Sequence, residues 1–398
     1  MSGLLGTLYT GMSGLVGYSQ GLQDVGNNLT NVNTPGYKGT ETQFSDLFDQ
    51  ESGQGGASGG GTQAAGFGLT TMGSTINFTQ GTLNQTGNTL DVAISGNGFF
   101  VTRNGTQQTY TRAGQFNFNT DGFLVDSANG QRVAGLATNG QLQDISLTSL
   151  QTDPAKVTTS ISFVNALSTT ATADPTISGI TVTDPAGGQH TLTLDFHLAS
   201  ANVWNVTVTD STGATVGTGT ITYANGVAVA GSSSISVSYA PAGVTAFPLT
   251  LDFSKTTSSA LGLTSTASTI QVDKVDGNAA GALVSETFDS SGMLVAKYSN
   301  GQTVNGPHLA MAYFDSTEQL TEVSGNNFTN NDPSKVTFGT AGTGPLGSIT
   351  AGSIEGSNVD LSHEFSNLIV MQRGYQAASQ VLSTANDMIQ TLFDMKKQ

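Results

Sequence analysis

The stretch that most limits how this chain can fold is its last one, Ser357 to Gln398, which reads as one long helix with no apolar neighbour in sequence to cover it. Leu368, Met371, Tyr375, Ala378, Leu382, Ala385, Ile389 and Leu392 follow at steps of three and four, which keeps one seam on one helical face. Ser357, Asn358 and Asp360 are N-cap candidates. Asp360 and Glu364 suit the positive start of a helix, and Lys396 and Lys397 its negative end. A helix with an apolar stripe has to bury that stripe, so a partner is required.

The far end of the chain supplies one. Within residues 1–34, Leu5, Leu8, Met12, Leu15, Tyr18, Leu22, Val25, Leu29 and Val32 form a second seam with one skipped step. Gly3, Gly6, Gly11, Gly14, Gly17, Gly21 and Gly26 interrupt it, each costing about 1 kcal/mol relative to alanine in a helix. Such a segment is mostly unfolded alone, so the two ends are expected to order together or against other copies. The alternative is a helical hairpin buried inside one globular domain. Asn27, Asn28, Asn31 and Asn33 fall mainly on the other face, solvated or bonded between copies. Thr34-Pro35-Gly36 ends the helix.

Between the ends the chain reads as β structure. Residues 35–74 are expected to be a linker or extended segment, because Gly53 to Gly68 is a Gly/Ala/Ser-rich run. From Thr75 onward, Asn104-Gly105, Asp121-Gly122, Asn129-Gly130 and Asn139-Gly140 separate strand-like runs, and the pattern returns near Ala282. Residues 75–144 and 281–357 are therefore assigned to one middle β domain. Residues 145–280, with Thr/Val alternations and turns at Asp184-Pro185 and Asn225-Gly226, form an inserted β-sandwich or barrel. The fold class is mainly β with paired N- and C-terminal α-helices (1–34 and 358–398) and nested, discontinuous domains.

Composition excludes several kinds of function. A net charge of −16, with only 12 Lys and Arg, argues against nucleic acid. No stretch approaches the ~20 apolar residues that span a bilayer, so membrane insertion is not expected. A start without basic residues before Lys38 and without an unbroken apolar run argues against a cleaved signal peptide. The chain has no cysteine, which removes disulfides, thiolate metal sites and thiol nucleophiles.

Catalytic patterns fail their context. Gly17–Gly21 and Gly56–Gly60 match the nucleophile elbow, but one lies in the heptad run and the other in the Gly-rich stretch. Gly342–Gly347 matches a dinucleotide fingerprint that opens no helix and reads as a turn. His190 and His197 point to opposite faces of a strand and cannot share a metal. Trp204, in an alternating strand, reads as core. No catalytic residue, cofactor or metal is assigned, and an enzyme is not expected.

Three stretches, NNLTNVNTPGYKGTETQF, LDVAISGNGFF and SNVDLSHEFSNLIVMQRGYQAASQ, together resemble the bacterial flagellar rod and hook axial proteins. The large insert and GTAGTGPLGSITAGSIEGSNVDLS before the last helix are similar to the hook branch, whereas a distal rod subunit is much shorter. The resemblance implies a subunit exported unfolded by the flagellar type III apparatus and polymerised under a cap into a curved tube outside the cell. Its implied partners are itself, the rod, the hook cap, the hook–filament junction and the export apparatus. The interface expected from the two seams is Leu5, Leu8, Met12, Leu15, Leu22, Val25, Leu29 and Val32 with Leu368, Met371, Tyr375, Leu382, Ile389 and Leu392. The rival reading from another class is a β-rich surface adhesin or carbohydrate-binding module, which would usually show clustered exposed aromatics; here aromatics are 7% with one Trp.

Overall fold

A computed structural model describes residues 2–48, 66–105, 107–137, 139–171, 173–258, 267–330 and 332–396. Helix α1 runs Ser2–Thr30 and helix α2 Leu361–Lys396. Asp360 caps α2, its Oδ1 accepting from the Ser362 and His363 amides at 2.7 and 3.3 Å. Beyond α1, Gly36 turns the chain at φ +70°, and a Cβ there would lie 2.4 Å from the Ala113 nitrogen, so only glycine fits.

Strands β1 (Thr40–Phe48) and β2 (Gly66–Ile76) follow and pair antiparallel. Of residues 35–74, expected to be a linker or extended segment, 40–48 and 66–74 are thus extended and paired, and most of the Gly53–Gly68 run lies outside the described residues. The hairpin meets α1 through apolar side chains, Phe44 and Leu69 beside Gly17 and Tyr18, and through polar groups. Thr42 and Ser74 donate to Asp24 Oδ2, Thr71 to Gln20 Oε1 at 3.1 Å, and the Leu69 amide to Ser13 Oγ at 3.2 Å. The Gly56–Gly60 pattern lies outside the described residues.

The chain divides into two compact units. One comprises residues 1–148, 287–295 and 305–398, so the helices, the hairpin and the first β region belong together. Its β core gathers Phe99, Val101, Tyr110, Phe314 and Phe328, with Phe78 edge-on to Phe99 and Phe328. The expected tight turns are present, with Gly105, Gly122, Gly130 and Gly140 all at positive φ.

The other unit, 149–286 and 296–304, holds a nine-stranded, barrel-like sheet. Along Gln189–Ser200 burial alternates, with Leu192, Leu194 and Phe196 inward. Trp204 is fully buried in this core, and Phe163 stacks on Phe253 at 4.6 Å. His190 and His197 do lie on opposite faces; each meets its own carboxylate, Asp184 at 2.8 Å and Asp174 at 2.7 Å.

Candidate assembly interface

The two terminal helices lie against each other, but the α1 seam differs from the one expected. The side of α1 facing α2 carries Gly11, Gly14, Tyr18, Gly21, Val25 and Asn28, a regular heptad that runs one residue before much of the leucine series. A Cβ on Gly11 would stand 3.4 Å from Ala378 O and Leu382 N, one on Gly14 3.2 Å from Ala378 Cβ, and one on Gly21 2.8 Å from Met371 Sδ. Across the seam the Tyr18 ring covers Gly374, where a Cβ would come within 2.4 Å of it. The glycines are therefore where α2 approaches the α1 backbone closely, and not merely defects in α1. Gly17 instead faces the hairpin, 3.1 Å from Leu69 Cδ2 and 3.3 Å from Phe44 Cε1 when a Cβ is added.

On α2 the expected seam is largely the inward one. Ala378 and Ala385 are buried, and Leu368, Met371, Leu382 and Ile389 are half-buried. Tyr375 and Leu392 are exposed, 42% and 50%. On α1 only Val25 of the expected interface is buried; Leu8, Leu15, Leu22, Leu29 and Val32 are half-buried and Met12 is 55% exposed. Leu5 lies in α1, and its side chain is outside the described residues. With small residues at the crossing, Tyr9, Met12 and Val16 of α1 face outward, as do Phe365, Ile369, Met388, Leu392 and Phe393 of α2.

The base of the helix pair is a polar anchor that sequence reasoning missed. Asn28, expected on the face away from the seam and either solvated or bonded between copies, is 2% exposed. Its Nδ2 donates to Thr40 O at 2.8 Å and Glu364 Oε1 at 3.1 Å, and its Oδ1 accepts from the Thr40 amide at 2.9 Å and the Tyr37 hydroxyl at 3.2 Å. Beside it Glu355, wholly buried, meets Lys38 Nζ at 2.6 Å through Oε1 and Arg112 Nη1 at 3.2 Å through Oε2. The Gly81 amide also donates to Oε1, Lys38 Nζ to Thr79 O, and Arg112 Nη2 to Gly96 O, each at 2.8 Å. Burial pulls the Lys38 and Arg112 pKa values down against the attraction of Glu355. Burial raises that of Glu364, against the hydrogen bond from Asn28. The only legible signal was the rarity of charge in this chain; Lys38 and Glu355 are 317 positions apart.

The three resembling stretches contribute to this anchor: Asn28, Tyr37 and Lys38 from the first, Gly96 from the second, and Asn358 and Glu364 from the third. Asn358 Oδ1 accepts from the Gly39 amide at 2.8 Å. The arrangement holds two distant ends of the chain in fixed register. Among the described residues no group of three His, Cys, Asp or Glu side chains could hold a metal ion, and no helix is long and apolar enough to cross a membrane. Gly17–Gly21 lies inside α1, and Gly342–Gly347 is a turn.

The chain is similar to known proteins along nearly its whole length. Residues 350–395 match the family "Flagellar basal body rod FlgEFG protein C-terminal", and residues 93–184 match "Flagellar hook protein FlgE/F/G D1 domain". The flagellar hook protein FlgE of Rhizobium meliloti is 30% identical over 99% of this chain and 100% of its own length. That of Escherichia coli is 31% identical over 97% of this chain and 98% of its own. The crystal structure of the Helicobacter pylori hook protein FlgE2 shares the fold, with a TM-score of 0.51 over 67% of this chain and 98% of that one, at 10% identity. A match of this identity running end to end with the E. coli protein places the chain in the flagellar hook protein FlgE family.

Proposed function

We propose that copies of this chain polymerise into the hook through the outward apolar faces of α1 and α2. As a member of the FlgE family the chain is a structural subunit of the external flagellum. The observation that carries the assembly reading is that the helix pair closes on glycine and alanine while Met12, Val16, Leu392 and Phe393 stay exposed, from 50% to 63%. Large apolar side chains on two adjacent helices are the makings of a contact between copies.

On this reading the expected interface splits. Met12, Tyr375 and Leu392 serve contacts between copies, whereas Val25, Met371 and Leu382 hold the helix pair within one copy. Export through the type III apparatus with the N-terminus retained, docking on rod, cap and junction proteins, and the absence of catalysis complete the proposal. The inserted unit supplies compliance, its contacts in the polymer being polar and able to slide.

The test is polymerisation of purified Met12→Asp and Leu392→Asp chains, with electron microscopy of cells carrying them. Hooks should be lost while monomer melting stays at the parent value. Hooks of normal number and length from both variants would sink the reading.

A further inference from the structure

Cysteine is absent, so methionine supplies the only sulfur in the chain, and its distribution is uneven. All eight methionines lie in the helix-bearing unit and none in the inserted one. Met311 is buried, and Met293 and Met371 are half-buried, the last with its sulfur over Gly21. Four others stand open. Met12 is 55% exposed, Met388 56%, Met72 74% and Met395 76%.

Three of the open methionines sit inside outward apolar stripes. On α1, Tyr9, Met12 and Val16 follow at steps of three and four and are all exposed. On α2, Met388, Leu392 and Met395 repeat the pattern. Met72 is the extra residue of a bulge in β2 and stands out of the hairpin. An exposed thioether is open to oxidation, and the sulfoxide turns a flexible apolar side chain into a polar one. In the middle of an apolar stripe that change removes the property that makes the stripe adhesive.

We propose that Met12 and Met388 are oxidation sites: a hydroperoxide converts them to sulfoxides in the free subunit and so blocks its assembly, whereas contact between copies shields them in the polymer. The inference rests on the assembly reading above and deepens it. In the step, a sulfur lone pair takes the terminal oxygen of the hydroperoxide as the O–O bond breaks and the S–O bond forms. The sulfur gives up two electrons, and the proton passes to the other oxygen, which leaves as water or an alcohol. Methionine sulfoxide is reduced back by a pair of reductases, one for each epimer, so the block is reversible. The inserted unit, without sulfur, has no such response.

The test treats purified monomer with hydrogen peroxide and stops while peptide mass mapping still finds Met293, Met311 and Met371 unmodified. Oxidation at Met12 and Met388 should raise the concentration at which the chain sediments as polymer roughly tenfold or more, with monomer melting at the parent value. Both sulfoxide reductases with a thiol should restore the parent concentration. The same peroxide on preformed polymer should leave Met12 and Met388 largely unmodified. Because Met72 and Met395 are oxidised too, the Met12→Gln/Met388→Gln double variant, polar at these two sites alone, should assemble as poorly without peroxide. Assembly of the oxidised monomer or of the double variant at the parent concentration, a loss that the reductases do not reverse, or equal oxidation rates in monomer and polymer would overturn the proposal. If Leu392→Asp fails to assemble while the oxidised chain assembles normally, the apolar interface stands and the oxidation sites fall; if both assemble normally, both fall.

Discussion

The terminal helix pair and the inserted β unit solve the burial problem in opposite ways. The inserted unit turns its large side chains inward: Trp204, Phe163, Phe196 and Phe253 are all buried, and inward positions alternate with outward Thr, Asp and His along Gln189–Ser200. The helix pair keeps glycine and alanine inside and leaves methionine, leucine and phenylalanine outside. A segment built for its own stability does the first, since burial of apolar area is what stabilises a domain. On the assembly reading, a segment that does the second leaves its strongest apolar contacts for another copy. What fixes the helices at their base is polar, through Asn28 and the Lys38–Glu355–Arg112 triad.

The contrast can be broken most forcefully at the triad. Glu355→Ala leaves two buried cations with no carboxylate, a loss of about 3–5 kcal/mol. Urea unfolding of the monomer should show it in the unit containing the helices and leave the inserted unit unaffected. Equal loss in both would mean that the units do not unfold separately. In the inserted unit, Phe253→Ala removes the ring that stacks on Phe163 and meets Phe196 edge-on, and should cost about 3 kcal/mol or more. Calorimetry should place that loss in the inserted unit, with polymer still forming. Loss of polymer would contradict the division of labour.

The same contrast explains what could be read from the sequence. The inserted unit was legible because strand alternation reports burial directly, and the Asn-Gly turns were legible because they demand positive φ. Both helices were legible as helices. The α1 seam was not, because counting apolar residues selects Leu15 and Leu22, whereas the buried positions are Gly14 and Gly21, about 100° away on the helix. Glycine carries no apolar signal, so a close helix approach looks like a defect. The hairpin was hidden by the Gly/Ala/Ser-rich run from Gly53 to Gly68, which reads as a linker. The triad was hidden by sequence distance, which no local pattern spans.

A subtler probe sets two α1 glycines against each other. Nothing lies within 4 Å of a Cβ added to Gly26, so Gly26→Ala should stabilise α1 by about 1 kcal/mol through helix propensity. At Gly14 the added Cβ meets Ala378 Cβ at 3.2 Å, between two main chains that cannot easily part, so Gly14→Ala should gain nothing or lose stability. Thermal melts of the two variants decide it. Equal gains would mean that the glycines are not what lets the helices approach.

The smallest effect concerns Glu364, whose burial raises its pKa above the ordinary 4.5. Between that value and the raised one the folded chain holds more protons than the unfolded chain, so this group's contribution to stability falls as pH rises through the window and is regained on acidification. Glu364→Gln keeps an acceptor for Asn28 and removes the buried charge. The variant monomer should therefore be more stable than the parent at pH 7, and the difference should vanish below about pH 4.5. Chemical unfolding at the two pH values measures this directly. An unchanged difference at the two pH values would mean that ionisation of Glu364 is not its source.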